Sequence, residues 1–262
     1  MPNPLSAVGA MVRRADPDRF LTALFAPADR REALFTLYAF NNELARGRDA
    51  ASNPMLALIR LQWWREVVEG AAQAHEVATP LATLLAAGVL DRAELEAVVD
   101  AREAEADVIE TLEEWRAMLL AGPGGLAAAA GRLLGAPRSD ALRQLGAAYG
   151  AAGVLRSVTA LASRGRCLLP VATLAEHGLS PEAVIADPAG LALRPVLAAL
   201  AQQARPWLAT SRAVPRQAIA AALPAVLARR DLRRLLRRLG DASPRGLGDR
   251  LAVASAALTG RI

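Results

Sequence analysis

Apolar residues return every three to four positions along nearly the whole chain, and no apolar/polar alternation persists long enough to make a strand. This spacing predicts helices near 17–25, 30–49, 54–74, 80–87, 91–120, 124–135, 138–163, 171–178, 190–211, 215–228 and 229–239. Several of the breaks have a local cause. Pro80, the Gly122-Pro123-Gly124-Gly125 turn, Gly135-Ala136-Pro137 and Asp187-Pro188 remove a backbone donor or permit positive φ. Ser180-Pro181-Glu182 reads as an N-cap followed by proline at the first helical position. Helical patterning resumes directly after Gly125, so the expectation is one all-α domain over residues 16–262, preceded by an N-terminal extension at 1–15. No internal repeat is visible.

Two predicted helices are strongly two-faced. In 91–120, Glu96, Asp100, Glu103, Asp107, Glu110 and Glu114 recur at spacings of three and four, which places six carboxylates on one stripe opposite Leu95, Val98, Val108, Ile109 and Leu112. One helix cannot surround a cation and no second acidic stripe faces this one, so it reads as a solvated face or a surface for a basic partner. In 229–239, six arginines cover about half of the circumference and four leucines lie opposite. Leucines docked on the core with arginines in solvent is the favoured reading. Peripheral contact with an anionic membrane comes next. A nucleic-acid backbone comes last, because no aromatic residue interrupts the basic face for base stacking.

Composition narrows the classes. Hydrophobic residues make up 53% of the 262 positions but aromatics only 4%, so the core must be built from Ala, Leu and Val on closely approaching helices. The net charge is +5 and all 31 basic residues are arginine, a usage that fits a GC-rich bacterial coding sequence. So modest a charge argues against nucleic acid and allows attraction to an anionic surface or acidic partner. The single thiol, Cys167, excludes an internal disulfide and suits a reducing, cytoplasmic compartment. With only His75 and His177 in addition, no zinc-type ligand cluster is present. Residues 1–16 lack the apolar core of a signal peptide, and no run approaches the roughly 18 apolar residues of a spanning helix. The expected location is cytoplasmic, or peripheral at the inner membrane.

Two segments carry the candidate chemistry. The first is Tyr38-Ala39-Phe40-Asn41-Asn42-Glu43-Leu44-Ala45-Arg46-Gly47-Arg48-Asp49, with Arg60-Leu61-Gln62-Trp63-Trp64-Arg65 behind it. The second is Gly153-Val154-Leu155-Arg156-Ser157-Val158-Thr159-Ala160-Leu161, followed by Gly165-Arg166-Cys167-Leu168-Leu169-Pro170. They resemble the two signatures of the squalene/phytoene synthase family, and the resemblance extends from about Asp16 to Leu239. It implies an isoprenoid-synthase-like helical bundle around a central cavity. Catalytic members carry an Asp-x-x-x-Asp in each signature, on facing helices, to hold Mg²⁺ against diphosphate. Carboxylates at i and i+4 meet that need because they project from one face a turn apart.

Here the first pair reads Ala45 and Asp49, and the second reads Ser157 and Leu161. Gly153 stands where catalytic relatives typically place Asn. Glu43 cannot substitute, since it lies about 240° around the helix from Asp49. Ionising an allylic diphosphate requires its departing charge to be neutralised, usually by Mg²⁺. With one carboxylate of four, no catalytic residue and no metal ligand set are assigned, and no cofactor is expected. The resemblance places Tyr38, Asp49, Arg156 and Arg166 at residual diphosphate-site positions. Arg156 and Arg166 can hold an anion through their guanidinium forks, or can pair with nearby acids. Trp63 and Trp64 read as packing residues.

Within the family, Ala39 to Ala45, the trailing Asp49, the 60–64 run and Arg164 to Pro170 with His177-Gly178-Leu179-Ser180 resemble a non-catalytic branch that includes a mitochondrial complex I assembly factor. That resemblance implies a pseudoenzyme whose partners are proteins, complex I subunits or assembly intermediates. The alternatives are a Mg²⁺-dependent head-to-head prenyltransferase and an isoprenoid- or lipid-binding carrier.

Overall fold

The computed structural model describes residues 5–49, 54–105, 107–136, 140–235 and 245–262, and describes no side chains at 47–49, 54 and 211–213. Sixteen α-helices run through these residues, with no strand among them. In chain order they are α1 (Ala7–Ala15), α2 (Pro17–Ala23), α3 (Ala28–Asp49), α4 (Pro54–Glu69), α5 (Ala78–Ala86), α6 (Arg92–Ala104), α7 (Leu112–Ala121) and α8 (Pro123–Leu133). There follow α9 (Asp140–Arg156), α10 (Val158–Ala162), α11 (Val171–Ala175), α12 (Pro181–Ala186), α13 (Leu193–Ala204), α14 (Ile219–Ala222), α15 (Pro224–Leu235) and α16 (Leu247–Thr259). Short 3₁₀ turns at Pro206–Ala213 and Arg216–Ala218 join the last groups.

Helix starts follow local side-chain chemistry. Ser6, Asp16, Asp91, Thr111 and Ser180 each accept a hydrogen bond from a backbone N–H three residues on, which satisfies a donor that the first turn leaves free. Helix α1 falls inside the segment read as an extension, yet Val8 and Val12 are buried in the main core and α1 packs on α3.

The single helix expected over 91–120 is two. Between Ala104 and Leu112 the backbone leaves the helix, and the carbonyls of Ile109 and Glu110 accept from the N–H groups of Val171 and Ala172. Thr111 and Glu114 then start α7 with a reciprocal capping box. The six-carboxylate stripe is thereby divided. Glu96, Asp100 and Glu103 remain on α6, where Arg65 of α4 binds Asp100 and, at 2.6 Å, Glu103. The helix expected over 138–163 is likewise interrupted, at Ser157, and the one over 54–74 ends at Glu69 ahead of Gly70, whose φ is +116°.

Helix α9 is the axis of the fold. Leu142, Leu145, Ala147, Ala148, Ala151, Ala152 and Leu155 are all buried, and α8, α7, α13 and α15 pack around them. The low aromatic content finds its explanation here. A Cβ added at Gly146 would stand 2.5 Å from both the Ala127 Cβ and the Pro123 carbonyl oxygen of α8, so the two helices touch nearly backbone to backbone.

Segment 229–239 lies in α15 up to Leu235, and its remainder is outside the described residues. Leu232 and Leu235 are buried, as core docking requires. The arginine side is largely committed within the fold. Arg230 and Arg234 hold Asp249 of α16 at 2.6 and 2.8 Å, and Arg229 donates to the carbonyls of Ile262 and Leu208. Burial alone would raise the Asp249 pKa, but the hydrogen bonds from Arg234 and Arg230 outweigh it and hold this carboxyl well below the ordinary carboxylate range.

On the inward side of α15, Asp231 is only 5% exposed. One of its oxygens accepts from Arg156 of α9 at 3.1 Å, and the other accepts from Arg245 at 2.6 Å. Arg245 also grips Asp18 of α2 at 2.6 Å, and Asp18 accepts from the hydroxyl of Tyr149 on α9 at 3.2 Å. Burial opposes the charge on Arg245, yet its bonds to Asp18 and Asp231 more than offset this and raise its pKa.

Three outcomes are expected. Gly146→Ala should destabilise the protein by about 1–3 kcal/mol in urea unfolding, because the atoms it meets are backbone and a helix Cβ rather than a flexible side-chain end. Asp231→Ala should cost about 3–5 kcal/mol by the same measurement, since it removes the anion shared by two partly buried cations. Asp249 has its folded pKa depressed, so its contribution is present above its unfolded value of about 4 and disappears as pH falls through the folded one. The stability gap between wild type and Asp249→Asn should therefore be widest near neutral pH and should close on acidification below about pH 4.

Candidate functional site

The C-terminal half of α3, the end of α6, the start of α8 and the last turns of α9 with α10 enclose a cavity of about 460 Å³. Three of the four positions where the family signatures would require carboxylates meet on its wall: Ala45 from α3, Ser157 at the α9–α10 break and Leu161 from α10. The fourth, Asp49, ends α3, and its side chain lies outside the described residues. Gly153 also lines the cavity, and a Cβ there would meet nothing within 4 Å.

The walls carry more positive than negative charge. Among the described residues, Arg19, Arg102, Arg164 and Arg166 line the cavity against a single carboxylate, Glu105. Arg102 donates to Glu105 at 2.9 Å and to Asn41 of α3 at 3.0 Å, and a guanidinium nitrogen of Arg166 lies 3.9 Å from the same glutamate. Glu105 is therefore already shared between two cations. The remaining lining is mostly apolar or small: Leu44, Met118, Leu119, Pro123, Gly150, Val154, Ala160 and Leu168.

The residual diphosphate-site positions separate. Arg166 faces the cavity. Arg156, one turn beyond Gly153, binds Asp231 on α15. Tyr38 is 2% exposed, and the Arg19 guanidinium sits over its ring at 5.6 Å. Burial raises the pKa of this phenol, so it stays neutral. Arg19 also lies over the Tyr149 ring at 4.9 Å and bonds Asp16 at 2.7 Å. Burial opposes its charge, and the Asp16 carboxylate more than offsets that, so its pKa is raised.

Of the charged lining residues, only Arg166 lies in the quoted signatures, with Arg164 two residues before it. Arg19, Arg102, Glu105 and Tyr149 come from elsewhere in the chain and carry no local motif. Trp64 is buried and meets Phe40 edge-on at 5.4 Å, a packing role, while Trp63 stands edge-on to His75 at 5.5 Å. Arg46 bonds Glu43 at 2.7 Å.

These residues do not fit a magnesium cluster. Mg²⁺ takes oxygen ligands in near-octahedral geometry, and the three described positions present a methyl, a hydroxyl and an isobutyl group. Among the described residues, no three or more His, Cys, Asp or Glu side chains are placed to hold a metal ion. What the cavity can do is accommodate an apolar chain and attract an anionic group. Nor, among the described residues, is any helix long and apolar enough to cross a membrane.

Known proteins resemble this chain in sequence and in fold. Over 226 residues the chain is 28% identical to NADH dehydrogenase (ubiquinone) complex I, assembly factor 6, of Mus musculus, covering 83% of this chain and 68% of that protein. Identity to the Homo sapiens protein of the same name is also 28%, with the same coverage. Among solved structures, a ligand-bound dehydrosqualene synthase superposes with a TM-score of 0.79 at 15% identity, covering 96% of this chain and 94% of that one. The squalene synthase HpnC of Alicyclobacillus acidocaldarius superposes with a TM-score of 0.73 at 17% identity, covering 88% of this chain and 92% of that one. At such identities the structural likeness establishes the fold. The squalene/phytoene synthase family model matches residues 12–254, and this chain belongs to that family.

Proposed function

We propose that this protein is a non-catalytic member of the squalene/phytoene synthase family that acts, through protein partners, in assembling respiratory complex I. One observation carries the non-catalytic half of the reading: Ala45, Ser157 and Leu161 converge on a single cavity where the one carboxylate among the described lining residues, Glu105, is tied to Arg102. Without carboxylates to hold Mg²⁺, the pyrophosphate leaving group loses the stabilisation that makes ionisation possible, a term worth several kcal/mol or more. Similarity to complex I assembly factor 6 over 83% of the chain supports the second half. In a bacterial host the site of action would be the cytoplasmic face of the inner membrane, the partners complex I subunits or assembly intermediates.

Two measurements test this. Purified protein incubated with farnesyl or geranylgeranyl diphosphate and Mg²⁺ should release no pyrophosphate above background; turnover that disappears in Asp49→Ala would sink the non-catalytic reading. Affinity capture from membranes of the native host should bring down complex I subunits, and their absence from the captured set would remove the assembly role.

The cavity favours one additional reading, a metal-independent binding site for an amphiphilic anion. Its volume of about 460 Å³ falls within the roughly 300–1,000 Å³ of small-molecule sites. Four lining arginines supply the attraction for an anion. Farnesyl phosphate should therefore raise the melting temperature without Mg²⁺, and Arg164→Gln should weaken the effect. No shift at saturating ligand would rule the carrier reading out.

A further inference from the structure

The last helix presents a face that the core does not use. Val253 and Ala256 of α16 are buried against Ile219, Leu223 and Leu227, and Asp249 is held by α15. On the outward side Leu247 is 73% exposed, Leu251 60% and Leu258 73%. Spacings of four and seven put these leucines on one ridge, with the half-buried Ala254 between them. Three large apolar side chains left in water along one helix cost hydration free energy that their own fold does not recover.

The C-terminal helices are rich in exposed arginine. Residues 214–235 and 245–262 contain eight arginines and two acids, Asp231 and Asp249, and both acids are buried. Arg250 is exposed beside Leu247 and Leu251, and Arg233 is exposed on α15. At the other end Arg216, also exposed, donates to the Leu258 carbonyl at 3.2 Å. The described residues of α14, α15 and α16 therefore offer cations and no exposed carboxylate side chain.

We infer that α16 is a membrane-surface helix, lying on an anionic lipid bilayer with Leu247, Leu251 and Leu258 at the acyl boundary and Arg216, Arg233 and Arg250 among the headgroups. The composition selects lipid over an acidic protein. Protein interfaces concentrate affinity in aromatic anchors and leave leucine under-represented, whereas a leucine ridge edged by arginine is what an interfacial helix uses. The described part of 229–239 contributes only Arg233 to this surface. There Leu232 and Leu235 are buried, Arg230 and Arg234 bond Asp249, and Arg229 donates to backbone carbonyls. The inference is independent of the cavity and of any role in complex assembly.

Vesicle co-sedimentation of the full chain tests it, using phosphatidylcholine vesicles with and without phosphatidylglycerol. Wild type should sediment with the anionic vesicles, weakly with neutral ones, and less as salt is raised. The triple variant Leu247→Ser/Leu251→Ser/Leu258→Ser should keep its far-ultraviolet circular dichroism, because all three side chains already face water. Its partitioning should fall at least about tenfold. Arg233→Gln/Arg250→Gln should reduce binding to anionic vesicles and leave the weak neutral binding as it was. Equal sedimentation of wild type and the leucine variant would overturn the inference. So would a failure of wild type to bind anionic vesicles, even if the same ridge then retained an acidic soluble protein.

Discussion

A buried carboxylate, Asp231, joins parts of the chain that no short-range interaction could bring together. Its two oxygens take Arg156 from the central helix and Arg245 from just before the last one, and Arg245 passes the connection to Asp18 near the N-terminus. An ion in such a place is costly unless several partners surround it, and a network of this kind either forms as a whole or destabilises what it was meant to join. Because α9 also carries the tight contact with α8, the helix that lines the cavity is fixed from two sides. Small residues let α8 approach it, and a charged clasp holds α15 against it.

This clasp changes what the family scaffold can do. In the second signature Arg156 sits at a position that the resemblance assigns to diphosphate contact, but here its guanidinium bonds Asp231 of α15. The cavity is left with arginines drawn from α2, α6 and the 164–166 turn, and with methyl, hydroxyl and isobutyl groups where metal ligands would stand. A wall of fixed cations repels Mg²⁺ and attracts anions, the reverse of what a carboxylate cage does. The scaffold, an apolar hollow ringed by helices, is kept, and its described lining carries more cations than carboxylates. A family likeness can thus be close in fold and silent about catalysis, because function resides in the site rather than in the architecture.

Much of the helical framework could be read directly from hydrophobic spacing, and the exceptions share one cause. The acidic stripe across 91–120 has an unbroken helical period, yet the chain breaks it, because Ile109 and Glu110 give their carbonyls to residues 171–172 and Thr111 starts a new helix with Glu114. Thr-x-x-Glu is itself a helix-start signal, so the second boundary was present in the sequence and was outweighed by periodicity. Helices α1 and α16 lie outside the expected helices, which begin at 17 and end at 239; they are held in place by Val8, Val12, Val253 and Ala256 packing on neighbours far along the chain.

Residue identity alone determined the negative half of the functional reading. Ala45, Ser157 and Leu161 are not carboxylates in any fold, and helical periodicity already placed Asp49 one turn from Ala45 and away from Glu43. Only the tertiary structure decided which charges meet. Asp18 and Arg245 are separated by more than two hundred residues, and Arg102, Glu105 and Arg166 gather on one wall without any shared local motif. Helical spacing fixes which side chains share a face because it depends on neighbours within a turn or two. The pairing of faces depends on every helix at once, so arginines with the same local appearance divide into clasp, cavity wall and solvent-facing rim only when the bundle closes.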